Sequence, residues 1–197
     1  KPHGWTAESG ITGRGTEDDP YILRCAESFA ALRDEVNAGI SYAGSFFKLA
    51  EDITLPADWT PIGCLKDESV TPGALDYADK GRNMNPFSGT LDGDGHTLTM
   101  AKGSRPLLMF ARKATVRNLN IQGERIVGNG LLERYVIDYG TEGYYNNSVP
   151  NTITIENCHI VGDTNITGSG FLSGYASGLN IVMIVNCSVG EDVVIGC

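Results

Sequence analysis

The sequence lacks an excess of basic residues, a long apolar run and a paired cysteine motif. It carries 24 acidic residues against 15 basic ones, which gives a formal charge of −9. Nucleic-acid binding depends on clustered lysine and arginine, so this charge balance argues against a nucleic-acid partner. No stretch approaches the roughly 20 consecutive apolar residues that a membrane-spanning helix needs, and we expect no membrane insertion within this chain.

The five cysteines show neither a CxxC pair nor the histidine spacing of a zinc site. Their odd number rules out complete pairing within the chain. Because a free cysteine behaves as a small hydrophobic residue, we expect most of them to be buried thiols. We expect no metal and no cofactor. The five cysteines are Cys25, Cys64, Cys158, Cys187 and Cys197.

Glycine is abundant, with 25 residues, and this abundance is typical of a mainly β fold with many tight turns. One segment is different. Phe29, Leu32 and Val36 follow the spacing of one helix face, and Gly39 supplies a stop signal. The pattern predicts an N-terminal amphipathic helix over residues 25–39, which would cap the first turn of a repeat protein.

Internal repetition carries the fold prediction. A short leader, a turn and a strand recur three times, and the strands align at Asn118, Asn157 and Asn186. The unequal intervals between these asparagines are tolerated in a solenoid, because an insertion can loop outward without disturbing the stack. We therefore predict an all-β chain that forms a single parallel β-helix over residues 1–197. Residues 66–85 and 124–150 are predicted loop insertions.

Several segments together resemble a known family. Residues 13–23, 47–53, 59–63 and 87–98 look like the opening of bacterial surface proteins that carry GLUG-type repeats, and residues 170–189 resemble the repeat itself. The resemblance implies a right-handed parallel β-helix in a secreted or cell-surface, adhesin-like protein. It supplies no catalytic residues. It also implies that the chain is the N-terminal part of a longer protein.

Two acidic turns could be taken for cation sites. In the run from Asp92 to His96, a calcium loop would need a glutamate at its twelfth position, which is occupied by Gly103. Residues 17–19 come directly before Pro20 and fit a solvated turn. His159 follows Cys158, but neighbouring residues of a strand point to opposite faces, so a catalytic cysteine–histidine pair is disfavoured.

The segment chosen as a candidate binding site is rich in tyrosine. Tyrosine offers a flat apolar face and a hydroxyl, which suit a glycan or a surface protein of a host or microbe. The alternative is that these side chains fold back and cover the β-helix. The candidate ligand-binding residues are Tyr135, Tyr139, Tyr144 and Tyr145.

The leading hypothesis for function is a non-catalytic extracellular scaffold, adhesion or ligand-binding module. The alternative is a β-helix carbohydrate-active enzyme, either a polysaccharide lyase or a glycoside hydrolase, which would need convergent carboxylates with a basic partner. A third hypothesis is a passive accessory region of a larger peptidase or surface protein.

Overall fold

The structure is a computed structural model, and it describes Trp5 and residues 7–69, 83–135, 151–172 and 180–196. This part of the chain is mostly β, with parallel sheets and one α-helix. The β-rich part of the fold prediction is therefore confirmed.

Helix α1 spans Ala26–Asn37, inside the predicted range, and a short 3-10 helix at Ala7–Ser9 precedes it. Its first turn is held by Ser28, whose hydroxyl accepts the backbone N–H of Cys25 and donates to the carbonyl of the same residue. The predicted apolar face is buried, and the Phe29 ring meets the Trp59 ring edge-on at 6.4 Å. No helix in the described ranges is long and apolar enough to cross a membrane.

The strands are short, because a turn residue interrupts the chain every few positions. In chain order they are β1 Tyr21–Leu23, β2 Phe46–Leu49, β3 Ile53–Leu55, β4 Cys64–Leu65, β5 Met84–Asn85, β6 Thr90–Asp92, β7 Thr97–Met100, β8 Leu108–Ala111, β9 Thr115–Arg117, β10 Asn120–Gln122, β11 Leu132–Tyr135, β12 Asn151–Glu156, β13 His159–Ile160, β14 Asn165–Ile166, β15 Asn180–Val185, β16 Ser188–Val189 and β17 Val194–Ile195.

Two parallel sheets dominate the fold. One has six strands in the order β1-β2-β6-β9-β12-β15, and the other has five in the order β16-β13-β10-β7-β3. From β2 onward the chain passes repeatedly from the six-stranded sheet to the five-stranded one, as in β6 to β7 and β9 to β10. Two further pairs, β8 with β11 and β14 with β17, are also parallel. Each pass of the chain therefore adds a strand beside the equivalent strand of an earlier pass.

Side chains alternate between the two faces of each sheet, as the strand period requires. In the six-stranded sheet, the strand pairing places one buried residue of each strand beside the next. The pairs are Phe47 with Leu91, Leu91 with Val116, and Val116 with Ile155. Buried residues of the five-stranded sheet, such as Leu98, join them in one apolar cluster. Full burial of side chains of this size contributes roughly 1.5–3 kcal/mol each, so the interior between the sheets supplies most of the stabilisation.

A row of asparagines marks the corner between the two sheets. Asn118, Asn157 and Asn186 all have positive φ, at 53°, 50° and 51°. Asn157 donates its side-chain N–H to the side-chain oxygen of Asn118, 39 residues earlier, at 2.9 Å, and Asn186 donates to Asn157, 29 residues earlier, at 3.1 Å. Asparagine tolerates this left-handed conformation, and its amide can donate and accept at once. We call this row the asparagine ladder.

The predicted insertions have different outcomes. The ends of the 66–85 segment are joined by an antiparallel pair between β4 and β5, and residues 70–82 lie outside the described ranges. The 124–150 segment is not one loop, because β11 lies within it and pairs in parallel with β8. Polar residues at Glu133 and Arg134 hide this strand from a reading of the sequence. Residues 136–150 are outside the described ranges.

The expectation of mostly buried thiols needs a correction. All four cysteines in the described ranges are free, but only Cys158 is fully buried. Cys25 stands at the start of α1 and, like Cys64 and Cys187, is half-buried. Cys197 lies outside the described ranges.

We expect substitutions of Asn157 to separate two contributions to stability, that of its side-chain hydrogen bonds and that of its left-handed backbone conformation. Asn157→Gly keeps the positive φ but removes the side-chain hydrogen bonds, which we expect to cost about 1–2 kcal/mol of unfolding free energy. Asn157→Ala should cost about 1 kcal/mol more, because alanine disfavours the left-handed region. Urea unfolding measures both values.

Asn186→Gly is the matched control for this prediction. Asn186 shares a single ladder bond, with Asn157, whereas the Asn157 side chain also contacts Asn118 and the His159 ring. The loss of stability should therefore be smaller than for Asn157→Gly. Equal stabilities of the glycine and alanine variants at position 157 would contradict the role assigned to backbone conformation.

Candidate functional site

The tyrosine segment chosen from the sequence is described at one residue only. Tyr135 ends strand β11, where its backbone pairs with Ala111. Tyr139, Tyr144 and Tyr145 lie outside the described residues. The tyrosine site therefore stays a prediction, and the geometry of the described residues points to a different place.

A groove of about 450 Å³ lies on the outer face of the six-stranded sheet. We call it the outer-face groove. Strands β1, β2, β6 and β9 form its floor, and the turn over residues 17–20 lies along one side of it. The floor side chains used below are Ile22, Phe46, Lys48, Asp92 and Arg117, and the rim side chains are Glu17, Asp18, Arg24 and Asp94.

Strand register places the central floor residues in one row. Ile22 pairs with Lys48, Lys48 with Asp92, and Asp92 with Arg117. All four side chains point away from the core, because their neighbours along each strand, such as Phe47 and Leu91, are buried. Adjacent strands lie roughly 4.8 Å apart, so the row is a regular array of side chains on a stiff support.

Two ion pairs fix the charged side chains of the groove. Lys48 Nζ lies 2.9 Å from Asp94 Oδ2, and Arg117 Nε lies 2.7 Å from Asp92 Oδ2. The Asp92 side chain is 16% exposed, which makes it the least accessible of the four, whereas the Asp94 side chain is 50% exposed. The first pair is therefore open to solvent and easily screened, while the second is partly sheltered.

Asp92 is held by three donors. Besides Arg117, the side-chain N–H of Asn118 donates to it at 3.0 Å and the backbone N–H of Asp94 at 2.8 Å. Partial burial raises the pKa of Asp92, but these hydrogen bonds and the Arg117 charge outweigh burial and leave the pKa below its ordinary value. Asp92 is therefore an ionised carboxylate at neutral pH, and it also starts the asparagine ladder.

Three further charged side chains lie on the rim of the groove. Glu17, Asp18 and Arg24 are exposed, and within the described part of the chain their side chains take part in no ion pair. Phe46 and Ile22 are half-buried and add apolar surface to the same floor. The groove thus combines fixed hydrogen-bonding groups, free charges and an aromatic ring, which is a composition that suits a polar ligand with apolar faces.

The arrangement gives little support to acid–base chemistry at Asp92. A general acid works best with a pKa close to the working pH, whereas the pKa of Asp92 is lowered. A cation site is not supported either, because the described residues contain no group of three or more His, Cys, Asp or Glu side chains that could hold a metal ion. Asp94 and Gly95, with φ of 51° and 82°, form the predicted turn.

A second cluster contains a histidine and a serine on the outer face of the five-stranded sheet. His159 Nδ1 lies 2.8 Å from Ser188 Oγ, and Nε2 lies 3.3 Å from Asn157 Oδ1. Both partners of the ring among the described residues are neutral, so within this part of the chain no carboxylate is hydrogen-bonded to the imidazole as in a hydrolase triad. Cys158 points inward, and burial raises the pKa of its thiol to about 12, so the thiol is protonated and not a nucleophile.

The outer-face groove is not apparent from the sequence, because residues 17–20 and the run after Asp92 have the composition of isolated turns. One pattern in the sequence does point to it. In three strands the third residue is charged, and these residues are Lys48, Asp92 and Arg117. Only the register of the strands shows that these positions are neighbours.

Comparisons of the chain with family models, with curated proteins and with solved structures found no match. Function must therefore be inferred from the groove and from the sheets that support it.

We expect the contribution of Asp92 to stability to depend on pH. Its pKa is lowered on folding, so the ionised carboxylate contributes stability above its unfolded pKa of about 3.9, and this stability is lost as the pH falls through the folded value. Asp92→Asn should therefore be less stable than the wild type at about pH 7, and the gap should shrink below about pH 3.

Chemical unfolding at both pH values measures this effect. Asp163→Asn, at an exposed turn residue, is the control and should show a small difference that changes little with pH. An Asp92→Asn deficit of the same size at both pH values would contradict the ion-pair explanation.

Proposed function

We propose that this chain is a non-catalytic scaffold and ligand-binding module of a secreted or cell-surface bacterial protein, and that the outer-face groove is its binding site. The observation that carries the proposal is the row of charged side chains across β2, β6 and β9, fixed by ion pairs on a stiff sheet. Groups held in place before binding lose little conformational entropy on binding, so a shallow groove of this kind can still be selective.

The fold in this proposal is a right-handed parallel β-helix of the kind found with GLUG-type repeats. Support comes from the parallel pairing in both large sheets, from the repeated passage of the chain between them and from the asparagine ladder at the corner. Helix α1 would act as the cap of the first turn, together with the antiparallel bridge between Thr12 and Ile22 at the edge of the six-stranded sheet. The extracellular location rests on the family resemblance.

The proposed ligand is a glycan or a surface protein of a host or microbe. The groove favours a glycan. Sugar hydroxyls both donate and accept hydrogen bonds, and the groove offers donors on Lys48 and Arg117 beside acceptors on Asp92 and Asp94. The Phe46 ring can cover an apolar face of a sugar ring. The tyrosines of residues 135–145 would provide a second contact region.

A carbohydrate-active enzyme is the second candidate. The observation that favours it is the presence of Asp92 and Asp94 beside Lys48 and Arg117 on one face. The lowered pKa of Asp92 argues against this residue as the general acid of a hydrolase, although it is compatible with the ionised carboxylate of the pair. The enzyme hypothesis is therefore secondary to the binding hypothesis.

A glycan array tests the binding function. We expect the wild-type chain to bind a subset of glycans, and we expect Lys48→Ala to weaken that binding about three- to tenfold, because it removes a donor and frees Asp94. Lys102→Ala is the matched control. Lys102 also forms an ion pair, with Glu124, but neither Lys102 nor Glu124 lines the groove. The control should bind like the wild type.

Two results would count against the proposal. Binding to no glycan and no cell surface would remove the binding function, and unchanged binding by Lys48→Ala would remove the groove as the site. Incubation of the chain with polysaccharides tests the second candidate separately, because release of reducing or unsaturated sugars would identify an enzyme.

A further inference from the structure

We infer that the ligand of the outer-face groove is an oligosaccharide that carries protonated amino groups, such as an oligomer of glucosamine, and is not a uronic-acid polymer. This inference rests on the proposed function, because it names the ligand class of the same groove. Two properties of the groove support it: the charges that the ion pairs leave free, and the hydrogen bonds that already engage the groove floor.

The first step is the charge balance. The acidic side chains of the groove are Glu17, Asp18, Asp92 and Asp94, and the basic ones are Arg24, Lys48 and Arg117. The two ion pairs neutralise Asp92, Asp94, Lys48 and Arg117. The remaining charges are the two exposed rim carboxylates and Arg24, so the groove has a net negative charge within a chain whose formal charge is −9. The field of the protein therefore attracts cations and repels polyanions.

The second step concerns the cost of binding a polyanion. Lys48 and Arg117 are the cations on the floor, and each already contacts a carboxylate at less than 3 Å. On the floor, a uronate would have to displace Asp94 or Asp92, which would leave a carboxylate without its partner beside another negative charge. On the rim, the single cation Arg24 is outnumbered by the carboxylates of Glu17 and Asp18. The Asp92 pair is the more expensive one to break, because Asp92 is only 16% exposed and has two further donors.

The third step favours a sugar over a basic peptide. The floor is the face of a sheet, and its backbone groups are bonded within the fold: the Phe46 N–H donates to the Gly15 carbonyl, and β2 and β6 are paired in register. An extended peptide cannot add a strand to a sheet face, because strand addition requires a free edge. A basic peptide would therefore gain no main-chain pairing on this face. Recognition in the groove must come from side chains, as is usual for sugars.

The fourth step places the ligand groups. The rim carboxylates of Glu17 and Asp18 can each accept a hydrogen bond from an ammonium group, and charge-assisted bonds of this kind are short and strong. The Phe46 ring and Ile22 supply the apolar floor that the C–H face of a sugar ring can cover. Amino groups on neighbouring rings would meet carboxylates, while the ring hydroxyls would meet the ion-paired side chains.

The experiment is calorimetric titration of the 197-residue chain with three oligosaccharides of equal length. They are an oligomer of glucosamine, its N-acetylated form, which is neutral, and an oligomer of galacturonate, which is anionic. We expect the glucosamine oligomer to bind most tightly and the galacturonate oligomer most weakly. Affinity for the glucosamine oligomer should fall as salt is added, because the rim charges are exposed.

Matched double variants separate local contacts from the overall charge. Glu17→Gln with Asp18→Asn should weaken binding of the glucosamine oligomer by roughly fivefold. Asp58→Asn with Asp163→Asn removes the same number of charges at exposed residues outside the groove and should leave the affinity within about twofold of the wild type.

The outcomes distinguish the inference from the proposed function. Equal binding of the neutral and cationic oligomers, or equal weakening by both double variants, would overturn the inference and leave the groove as a glycan site. Tightest binding of the galacturonate oligomer would also overturn it. Binding of none of the three oligosaccharides would overturn the inference, whereas the glycan-binding function is overturned only if the glycan array also shows no binding.

Discussion

Parallel pairing in register is the constraint on which the rest of this structure depends. In such a pairing each residue has the equivalent residue of the neighbouring strand directly beside it, roughly 4.8 Å away. A slip of one position would move every buried side chain to the solvent face. The chain satisfies this condition with short strands, because Phe47, Leu91 and Val116 stay in one buried row across three neighbouring strands. The corner asparagines keep the same register at the point where the chain leaves the sheet.

The same constraint shapes the outer face. Apolar side chains stack on one another without cost, but like charges at this spacing repel. The outer row avoids repulsion by alternating in sign, from Lys48 to Asp92, Arg117 and Glu156 along the paired strands. The outer-face groove is therefore partly a consequence of stacking: a polar row in this fold must either alternate in charge or be neutral. The proposed binding function would use a charge pattern that the sheet already requires for stability.

The sequence was sufficient for features that leave a local or periodic signal. The buried face of α1 follows from the spacing of Phe29, Leu32 and Val36, and the aligned asparagines point to repeated turns of equivalent geometry. Strand β11 was missed because its central residues, Glu133 and Arg134, are polar. The groove was missed because it joins residues far apart in the chain, such as Ile22 and Arg117, whose proximity depends on a register that composition does not encode.

The asparagine ladder has one further consequence. Each ladder asparagine starts a connection of only two residues from a strand of the six-stranded sheet to the next strand, which belongs to the five-stranded sheet. The intervals between successive ladder asparagines differ, at 39 and 29 residues. The corner is thus a fixed point, and the remainder of each turn is free to change in length. Surface loops can be lengthened or exchanged during evolution without any repacking of the interior. A fold built in this way can acquire new recognition surfaces one turn at a time.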